Sequence, residues 1–318
     1  MGTGIRTSVR VWLAAAMGIA ALAGASAAQA QTKITVAYTA SADFATGFIA
    51  AEQGMFKKRG LDVEFKLVPL NPQIPAALQS DSMQIGGTTT PVQIQAVDGG
   101  LDLVAVAASG ITRRNDTLFG VLARAEAPIT TPQGFIGKRV GTPGLGAFLH
   151  VMFRQWLIDK GVDPKQVTFI EVGFPQHLDV LKAGTIDAII TGEPFTTRIL
   201  QAGVGVLATH FTDNLTVDLP IITYASTRAW ADKNPKAAKD FREAIAEATA
   251  IANDPKNVDI VRAAVGKFIG LPPPVLQSLV FGKWQAEPTL EGLSAWVKMM
   301  KGQGMIQSDI DVSKLIVK

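Results

Sequence analysis

Short strand-like segments alternate with helix-like segments through most of this chain, and that alternation constrains its fold more than any other feature. The first strand-like segment covers residues 33–39, a helix-like stretch then ends at Gly60, and a second strand-like segment follows at 62–68. The pattern repeats as far as residue 225, and the remaining segments are almost all helix-like. Alternating strands and helices are typical of parallel sheets covered by helices. The sequence therefore predicts an α/β fold.

The loops that follow the strands are the first place to look for a binding site. Right-handed crossovers bring the loops after the carboxyl ends of parallel strands to one rim of the sheet, where open α/β sheets bind ligands. We expect six loops to face this rim: 40–44, 86–91, 109–114, 143–147, 173–176 and 192–194.

One of these loops belongs to a stretch that reads KRVGTPGLGAF at 138–148. It predicts a strand end, a Gly/Pro turn and a helix that runs to about Lys160, where Gly161 ends it. The helix is marked by apolar residues at helical spacing, namely Leu145, Leu149, Met152, Phe153 and Trp156. The free N–H groups at such a helix start attract anions. The alternative is an ordinary turn whose glycines only allow tight packing.

Two polar connectors interrupt the alternating pattern, at 109–116 and at 211–218. Two segments that pass from a helix end into a strand, 78–83 and 181–186, echo each other weakly on either side of the first connector. A chain of this length is typical of two domains. We therefore expect two lobes, one formed by 31–115 together with 219–318 and the other by 116–218.

The first thirty residues have the pattern of an export signal. Arg6 and Arg10 precede a short apolar segment, and a small-x-small motif ends at Ala30. The apolar segment is too short to span a bilayer. We expect cleavage after Ala30, a mature chain that begins at Gln31, and a periplasmic location.

Composition excludes several classes of function. The absence of cysteine rules out a disulfide framework, a thiolate metal site and a cysteine nucleophile. The formal charge of +3 includes two leader arginines, which leaves the mature chain near 3 − 2 = +1. We find no basic stripe for nucleic acid. The three histidines lack metal-site spacing, and neither a Gly-x-Ser-x-Gly elbow nor a Walker loop occurs. We expect no cofactor, no metal and no enzymatic activity.

Several short motifs, in their order and spacing, give the chain a family resemblance. They are SADF at 41–44, AAEQGMFKKRGLDV at 50–63, GGTTTP at 86–91, KRVGTPG at 138–144, LKAGTIDA at 181–188 and GEPF at 192–195. Together they resemble the periplasmic substrate-binding proteins of ABC importers, in the branch that handles nitrate, taurine, aliphatic sulfonates and thiamine precursors. The resemblance covers essentially the whole mature chain.

The resemblance implies a two-lobed fold that closes over a ligand in the cleft, with hinge crossovers near Asp116 and Asp218. It also implies a monomer that delivers a small organic anion or zwitterion to a membrane permease and its ATPase. The alternatives are a binding protein for a thiamine precursor (a pyrimidine), an enzyme on the same scaffold, and a sensor that signals to a membrane receptor.

Glycine- and hydroxyl-rich loops at helix starts suit an oxyanion, and acidic residues on the rim suit an amino or ring-nitrogen group. Asp43, Glu193 and Thr90 have an alternative role at helix starts, and aromatic residues an alternative role in the core. The predicted ligand-binding residues are Ser41, Asp43, Phe44, Thr88, Thr89, Thr90, Ser109, Gly144, Leu145, Gly146, Ala147, Phe174 and Glu193.

Overall fold

The computed structural model describes residues 31–317. The predicted signal peptide and its cleavage after Ala30 lie outside the described residues. Within that range, the helices are too short or too polar to cross a bilayer.

The strands and helices alternate as the sequence predicts. The strands are β1 Thr32–Tyr38, β2 Leu61–Leu67, β3 Ile85–Thr89, β4 Leu103–Ala108, β5 Gly110–Thr112, β6 Phe119–Arg124, β7 Arg139–Thr142, β8 Thr168–Glu171, β9 Ala188–Gly192, β10 Gly205–Thr209, β11 Leu219–Pro220, β12 Ile222–Thr227 and β13 Lys283–Trp284. The helices are α1 Ala45–Glu52, α2 Met55–Lys58, α3 Ile74–Gln79, α4 Thr90–Asp98, α5 Phe148–Asp159, α6 His177–Lys182, α7 Phe195–Gln201, α8 Arg228–Lys233, α9 Pro235–Asn253, α10 Val258–Ile269, α11 Pro273–Ser278 and α12 Leu290–Gly302.

Two five-stranded sheets organise the molecule. The first has the order β2-β1-β3-β12-β4, and we call it and its helices lobe 1. The second has the order β10-β6-β9-β7-β8, and we call it and its helices lobe 2. Every strand of lobe 2 lies between residues 119 and 209 in sequence, and those of lobe 1 lie on both sides of it. The chain therefore passes twice between the sheets.

The alternation of strands and helices indicates parallel sheets, and four of the five strands in each sheet are parallel, but one strand in each runs against the others. In lobe 1, β12 pairs antiparallel with β3 and β4, while β1 is parallel to β2 and β3. In lobe 2, β6 pairs antiparallel with β9 and β10, while β7 is parallel to β8 and β9. The two antiparallel strands, β6 and β12, are each the first strand of a five-stranded sheet that the chain forms after it crosses from the other lobe. They begin on the rim where the parallel strands end.

A small third sheet lies beside the two crossovers. In it β5, which leads out of lobe 1, pairs with β11, which leads back, and with β13. The crossover segments also bond to each other, since the Asn115 amide donates to the Thr212 carbonyl and the Thr212 hydroxyl donates to the Asp116 carbonyl. Two adjacent, cross-linked connections are a suitable hinge.

Apolar packing fixes each sheet against its helices. In lobe 1, Phe48 of α1 packs edge-on against Tyr38 of β1 at a centroid distance of 5.2 Å. In lobe 2, buried Phe153 of α5 packs edge-on against Phe169 of β8 at 6.3 Å. Because both sheets are anchored in this way, the loops on their rims have rigid supports.

Candidate functional site

A cavity of about 30 Å³ lies where the rims of the two sheets face each other. Both sheets contribute to it, through strand ends and through the beginning of α5. Its lining residues are Thr39, Ser41, Asp43, Asn71, Thr89, Ile221 and Ile222 from lobe 1 or its crossover, and Phe119, Pro143, Ala147, Phe148, Leu149 and Phe174 from lobe 2. We call this space the inner cavity.

On the lobe 1 side, the turn between β3 and α4 is organised by a buried amide, Asn71. Its Oδ1 accepts from the Thr89 amide at 2.8 Å and from the Thr88 hydroxyl at 3.1 Å. Its Nδ2 donates to the Gly87 carbonyl at 3.2 Å. The Thr88 hydroxyl is thus engaged within the protein, and Thr88 does not line the inner cavity among the described contacts.

The three threonines of this turn have different surroundings. The Thr90 hydroxyl donates to the Pro220 carbonyl at 2.8 Å, because Thr90 is the first residue of α4 and faces the returning chain. The Thr89 Oγ1, by contrast, is buried without a hydrogen-bond partner among residues 31–317, and Thr89 lines the inner cavity. An unpaired buried hydroxyl costs free energy, which a ligand acceptor would recover.

On the lobe 2 side, the glycine-rich turn before α5 uses most of its own amides. The Leu145 amide donates to Glu171 Oε1 and the Gly146 amide donates to His150 Nδ1, both at 2.9 Å. The Ala147 amide donates to the Gly144 carbonyl. Leu145 was predicted on the helix but lies in the turn before it, and its side chain is exposed, because α5 begins only at Phe148.

The free amides of this region belong to the first turn of α5 itself. Phe148 and Leu149 line the inner cavity, and as the first helical residues their N–H groups have no acceptor within the helix. The residue at the N-cap is Ala147, so no side chain satisfies them. The positive end of the helix dipole therefore lies beside the inner cavity, where it stabilises a negative charge.

The two lobes touch at this same turn. Gln95 of α4 donates through Nε2 to the Gly146 carbonyl at 2.9 Å. A Cβ atom at Gly144 would lie 2.7 Å from Pro72 Cδ, closer than carbon atoms pack. Glycines at these positions let lobe 2 approach lobe 1 closely, and the small inner cavity reflects that approach.

His150 holds the turn from inside α5. Because Nδ1 accepts the Gly146 amide, the ring proton of the neutral side chain is on Nε2, which is buried without a partner among the described residues. Burial lowers the pKa of His150 to about 3, and the nearby Arg154 charge adds to this effect. The imidazole is thus neutral at physiological pH.

Asp43 is the acidic side chain of the inner cavity. Its Oδ2 accepts from the Ser41 hydroxyl at 2.5 Å, and its carbonyl accepts from the buried Ser109 hydroxyl. Burial raises the pKa of Asp43 to about 6, against a smaller opposing effect of the Ser41 hydrogen bond. Within 31–317 it forms no salt bridge. Its carboxyl can accept a hydrogen bond from a ligand N–H group.

Glu193 lies in a second small cavity, of about 20 Å³, which Asp43 and Phe119 also line. The Thr197 hydroxyl donates to Glu193 Oε1 at 3.0 Å, and burial raises the pKa of Glu193. The structure thus places the two predicted acidic residues in one cavity, from opposite lobes. Glu193 also receives the helix-start hydrogen bond that was its alternative role, since the Thr197 amide donates to Oε2 at 3.4 Å.

The structure brings some of the predicted site residues together and separates others. Ser41, Asp43, Thr89, Ala147 and Phe174 line the inner cavity, and Glu193 lines its neighbour. Residues that lie behind these walls, in the core or in the turns, are Phe44, Thr88, Thr90, Ser109, Gly144, Leu145 and Gly146. Whether any of them binds a ligand stays a prediction.

The sequence reading missed lining residues from the two antiparallel strands. Phe119 begins β6, and Ile221 and Ile222 lead into β12. An all-parallel reading places strand starts on the far edge, so these positions gave no signal. Asn71 was missed because a turn amide after proline-rich sequence reads as a loop residue. The part of the chain that the structure describes contains no group of three or more acidic or histidine side chains that could hold a metal.

Comparison with known proteins places this fold. The sequence profile of the family described as NMT1/THI5 like matches residues 41–258. The alkanesulfonate-binding protein SsuA from Xanthomonas axonopodis pv. citri, solved bound to MOPS, superposes with a TM-score of 0.76 at 17% identity and covers 92% of this chain and 99% of its own. The predicted two-lobed fold of periplasmic binding proteins is thereby confirmed.

Two relatives in sequence come from Synechococcus elongatus. The nitrate/nitrite binding protein NrtA is 25% identical over 253 residues, which are 71% of this chain and 56% of the relative. The nitrate import ATP-binding protein NrtC is 27% identical over 255 residues, 73% of this chain and 37% of the relative. The chain thus spans about half or less of the length of these relatives.

Proposed function

The chain belongs to the NMT1/THI5-like family, and from that premise we propose that it is the solute-binding component of an ABC importer. In this proposal the charged group of a small organic anion or zwitterion, of the sulfonate, taurine-like or carboxylate type, binds in the inner cavity and the lobes close over the ligand. The mature protein acts outside the cytoplasm, in the periplasm, as a monomer without cofactor or catalysis.

One observation carries the proposal: the inner cavity joins a free helix start from lobe 2 to an unpaired hydroxyl from lobe 1. The amides of Phe148 and Leu149 offer hydrogen bonds and the dipole of α5, and Thr89 Oγ1 offers a third donor. Hydrogen bonds to a charged group contribute about 1.5–3 kcal/mol each. Donors from both lobes favour the closed state when an anion is present.

The charge of the lining limits the ligand further. No lysine or arginine lines the inner cavity among the described residues, and Asp43 does. A bare anion is therefore held by dipoles alone and is opposed by Asp43 when that carboxylate is ionised. A ligand that also carries an amino group satisfies both, so the pocket favours a zwitterion over a simple anion.

The proposed hinge lies in the two crossovers near Asp116 and Asp218, with lobe 1 formed by 31–115 and 219–318 and lobe 2 by 116–218. Support comes from the paired crossover backbones and from the strand content of the two sheets. The closed form would be recognised by a membrane permease coupled to an ATPase. The similarity to part of the nitrate import ATP-binding protein NrtC supports that partnership.

The test is a thermal-shift and calorimetric screen of the mature chain. The compounds are nitrate, bicarbonate, methanesulfonate, taurine, short carboxylates and an aminopyrimidine. A ligand at a hundredfold excess over its Kd raises the free energy of unfolding by about 2.7 kcal/mol. If none of these compounds stabilises the protein and none gives a heat of binding, the proposed substrate range is contradicted.

A thiamine-precursor pyrimidine is the second candidate, and one observation favours it. Three aromatic rings, Phe119, Phe148 and Phe174, line the inner cavity together with the acceptor Asp43. Aromatic side chains and a carboxyl acceptor suit a ring that carries an amino group. In the same screen, stabilisation by the aminopyrimidine alone would select this candidate over the anions.

A further inference from the structure

A second and larger space adjoins the inner cavity. Its volume is about 360 Å³, against about 30 Å³ for the inner cavity, and we call it the outer chamber. It lies between the loop after β2 in lobe 1 and the loop after β8 in lobe 2. Its lining residues are Ala40, Leu67, Val68, Pro69, Leu70, Glu171, Gly173, Phe174, Pro175 and Gln176.

The two spaces are neighbours, because residues that line one are adjacent in sequence to residues that line the other. Phe174 is the one described residue that lines both. Ala40 lines the outer chamber, while its neighbours Thr39 and Ser41 line the inner cavity. Likewise, Leu70 lines the outer chamber and the next residue, Asn71, lines the inner cavity. The side chain of Phe174 is partly exposed and its ring stacks on Phe195 at 5.3 Å, so Phe174 lies at the boundary that the two spaces share.

The two volumes determine which part of a ligand each space can hold. Pockets that hold small organic molecules measure roughly 300–1,000 Å³. The inner cavity, at about 30 Å³, has room for only about two water molecules. It suits a compact polar head, whereas the outer chamber at about 360 Å³ falls within the usual range.

The lining of the outer chamber defines the chemistry of whatever enters it. Leu67 is 54% exposed at the rim, and most of the wall is aliphatic, proline or aromatic. Glu171 is the one charged residue among those that line the chamber, and its Oε1 already accepts the Leu145 amide. A mostly apolar lining suits an uncharged apolar group, and the Glu171 carboxylate opposes a second negative charge.

We propose that the outer chamber binds the uncharged apolar tail of the ligand, an alkyl or aryl group, while the single charged head occupies the inner cavity. The inference rests on the proposed function, since it assumes that the head binds beside α5. It narrows the substrate class to monoanions or zwitterions with a tail. It also predicts discrimination against bare inorganic anions and against dianions with a charge at each end.

The test is a calorimetric series of linear alkanesulfonates from methane- to octanesulfonate, with the corresponding carboxylates in parallel. Each added methylene that enters the chamber should lower Kd about three- to fourfold until the chamber is full, given the usual transfer free energy of a methylene group. Hexane-1,6-disulfonate should bind at least tenfold more weakly than hexanesulfonate.

Two matched variants locate the effect. Leu67→Asp places a carboxylate in the chamber and should abolish the dependence on chain length, so that Kd no longer falls with each added methylene. Leu200→Asp alters an equally large side chain, 42% exposed against 54% for Leu67, on α7 away from both spaces. It should leave the whole series unchanged.

The outcomes separate this inference from the proposed function. If methanesulfonate binds but Kd does not change with chain length in the unsubstituted protein, the tail site is refuted and the importer function stands. If chain length matters equally in Leu67→Asp, the tail binds elsewhere and the inference is also refuted. If none of the sulfonates or carboxylates binds, the proposed anion-binding function itself fails.

Discussion

The two turns that face each other across the inner cavity look alike in sequence but differ in what they leave free. Both join a strand to a helix, at β3–α4 in lobe 1 and at β7–α5 in lobe 2, and both are rich in small residues. In lobe 1 the Thr89 amide is bonded to Asn71 and a hydroxyl is left free. In lobe 2 the turn amides are bonded to Glu171 and His150, and the helix amides are left free.

This difference shows that the donors a turn can offer to an anion depend on which of its groups the neighbouring residues leave unbonded. The lobe 1 turn contributes a side-chain donor because Asn71 occupies its backbone. The lobe 2 turn contributes backbone donors because a carboxylate and an imidazole occupy only the amides that precede the helix. Experiments that change one turn and spare the other test this division.

The largest expected effect is on the lobe 2 turn, at Gly146. Its φ of +76° is in the left-handed region, and a Cβ there would lie 2.4 Å from Gln95 Nε2. Gly146→Ala therefore combines a backbone cost of about 1–2 kcal/mol with the loss of the Gln95 hydrogen bond, worth about 1 kcal/mol. We expect the free energy of unfolding in denaturant titrations to fall by about 2–3 kcal/mol.

Gly161→Ala is the matched control for this prediction. Gly161 has the same φ of +76°, and a Cβ there would meet no atom within 4 Å. Gly161→Ala should lower the free energy of unfolding only by the backbone cost, about 1–2 kcal/mol. Because Gln95 belongs to lobe 1, Gly146→Ala should also weaken ligand binding about fivefold by disfavouring closure, and Gly161→Ala should not. Equal effects of the two variants on both measurements would show that the turn does not join the lobes.

The second effect is the response of the lobe 2 turn to acid. Since the pKa of His150 is lowered to about 3 in the folded state, only the unfolded chain takes up this proton between pH 7 and pH 5. The free energy of unfolding should therefore fall by about 2 kcal/mol over this interval on account of His150. His150→Asn, whose Oδ1 can still accept the Gly146 amide, should lack this contribution.

Other groups titrate in the same range, so the quantity to measure is the difference in unfolding free energy between the unsubstituted protein and His150→Asn. The lowered pKa of buried His177, about 4, also destabilises the fold as pH falls below 6.5. The raised pKa of Asp43, about 6, acts in the opposite sense, because its stabilising contribution is lost as pH rises from about 4 to 6. Both are common to the protein and the variant. An unfolding free energy that falls equally with acid in both would contradict the assignment to His150.

The sequence predicted the alternation of elements and the rim loops because apolar periodicity and turn residues are local signals. It also predicted that the Thr89 turn and the start of α5 face the same rim, since both follow strands, and both line the inner cavity. It gave Thr90 an alternative role at a helix start, but it did not distinguish Thr88 from Thr89. The partners of Thr88 and Thr90, Asn71 and Pro220, are 17 and 130 residues away and give no local signal. The same limitation hid Phe119 and Ile222, whose position depends on two strands that run against the rest of their sheets.

The smallest effect tests the lobe 1 turn, where the free donor is a single hydroxyl. Thr89→Val keeps the shape and removes Oγ1, which has no partner among the described residues. The free energy of unfolding should rise by up to about 1 kcal/mol, because an unsatisfied buried group is lost. Anion affinity should fall about tenfold, since a hydrogen bond to a charged group is lost. Opposite signs of the two changes are the signature of a residue that serves the ligand rather than the fold.

Thr223→Val separates the two roles. Thr223 is a buried threonine of β12 in the same sheet, its Oγ1 also lacks a partner within 31–317, and it does not line the inner cavity. Thr223→Val should raise the free energy of unfolding by the same amount as Thr89→Val and leave the anion affinity unchanged. If both variants weaken binding equally, the lobe 1 hydroxyl is not a ligand donor, and the anion is held by the α5 amides alone. In that case only the lobe 2 turn would donate hydrogen bonds to the anion, and the lobe 1 turn would only line the cavity.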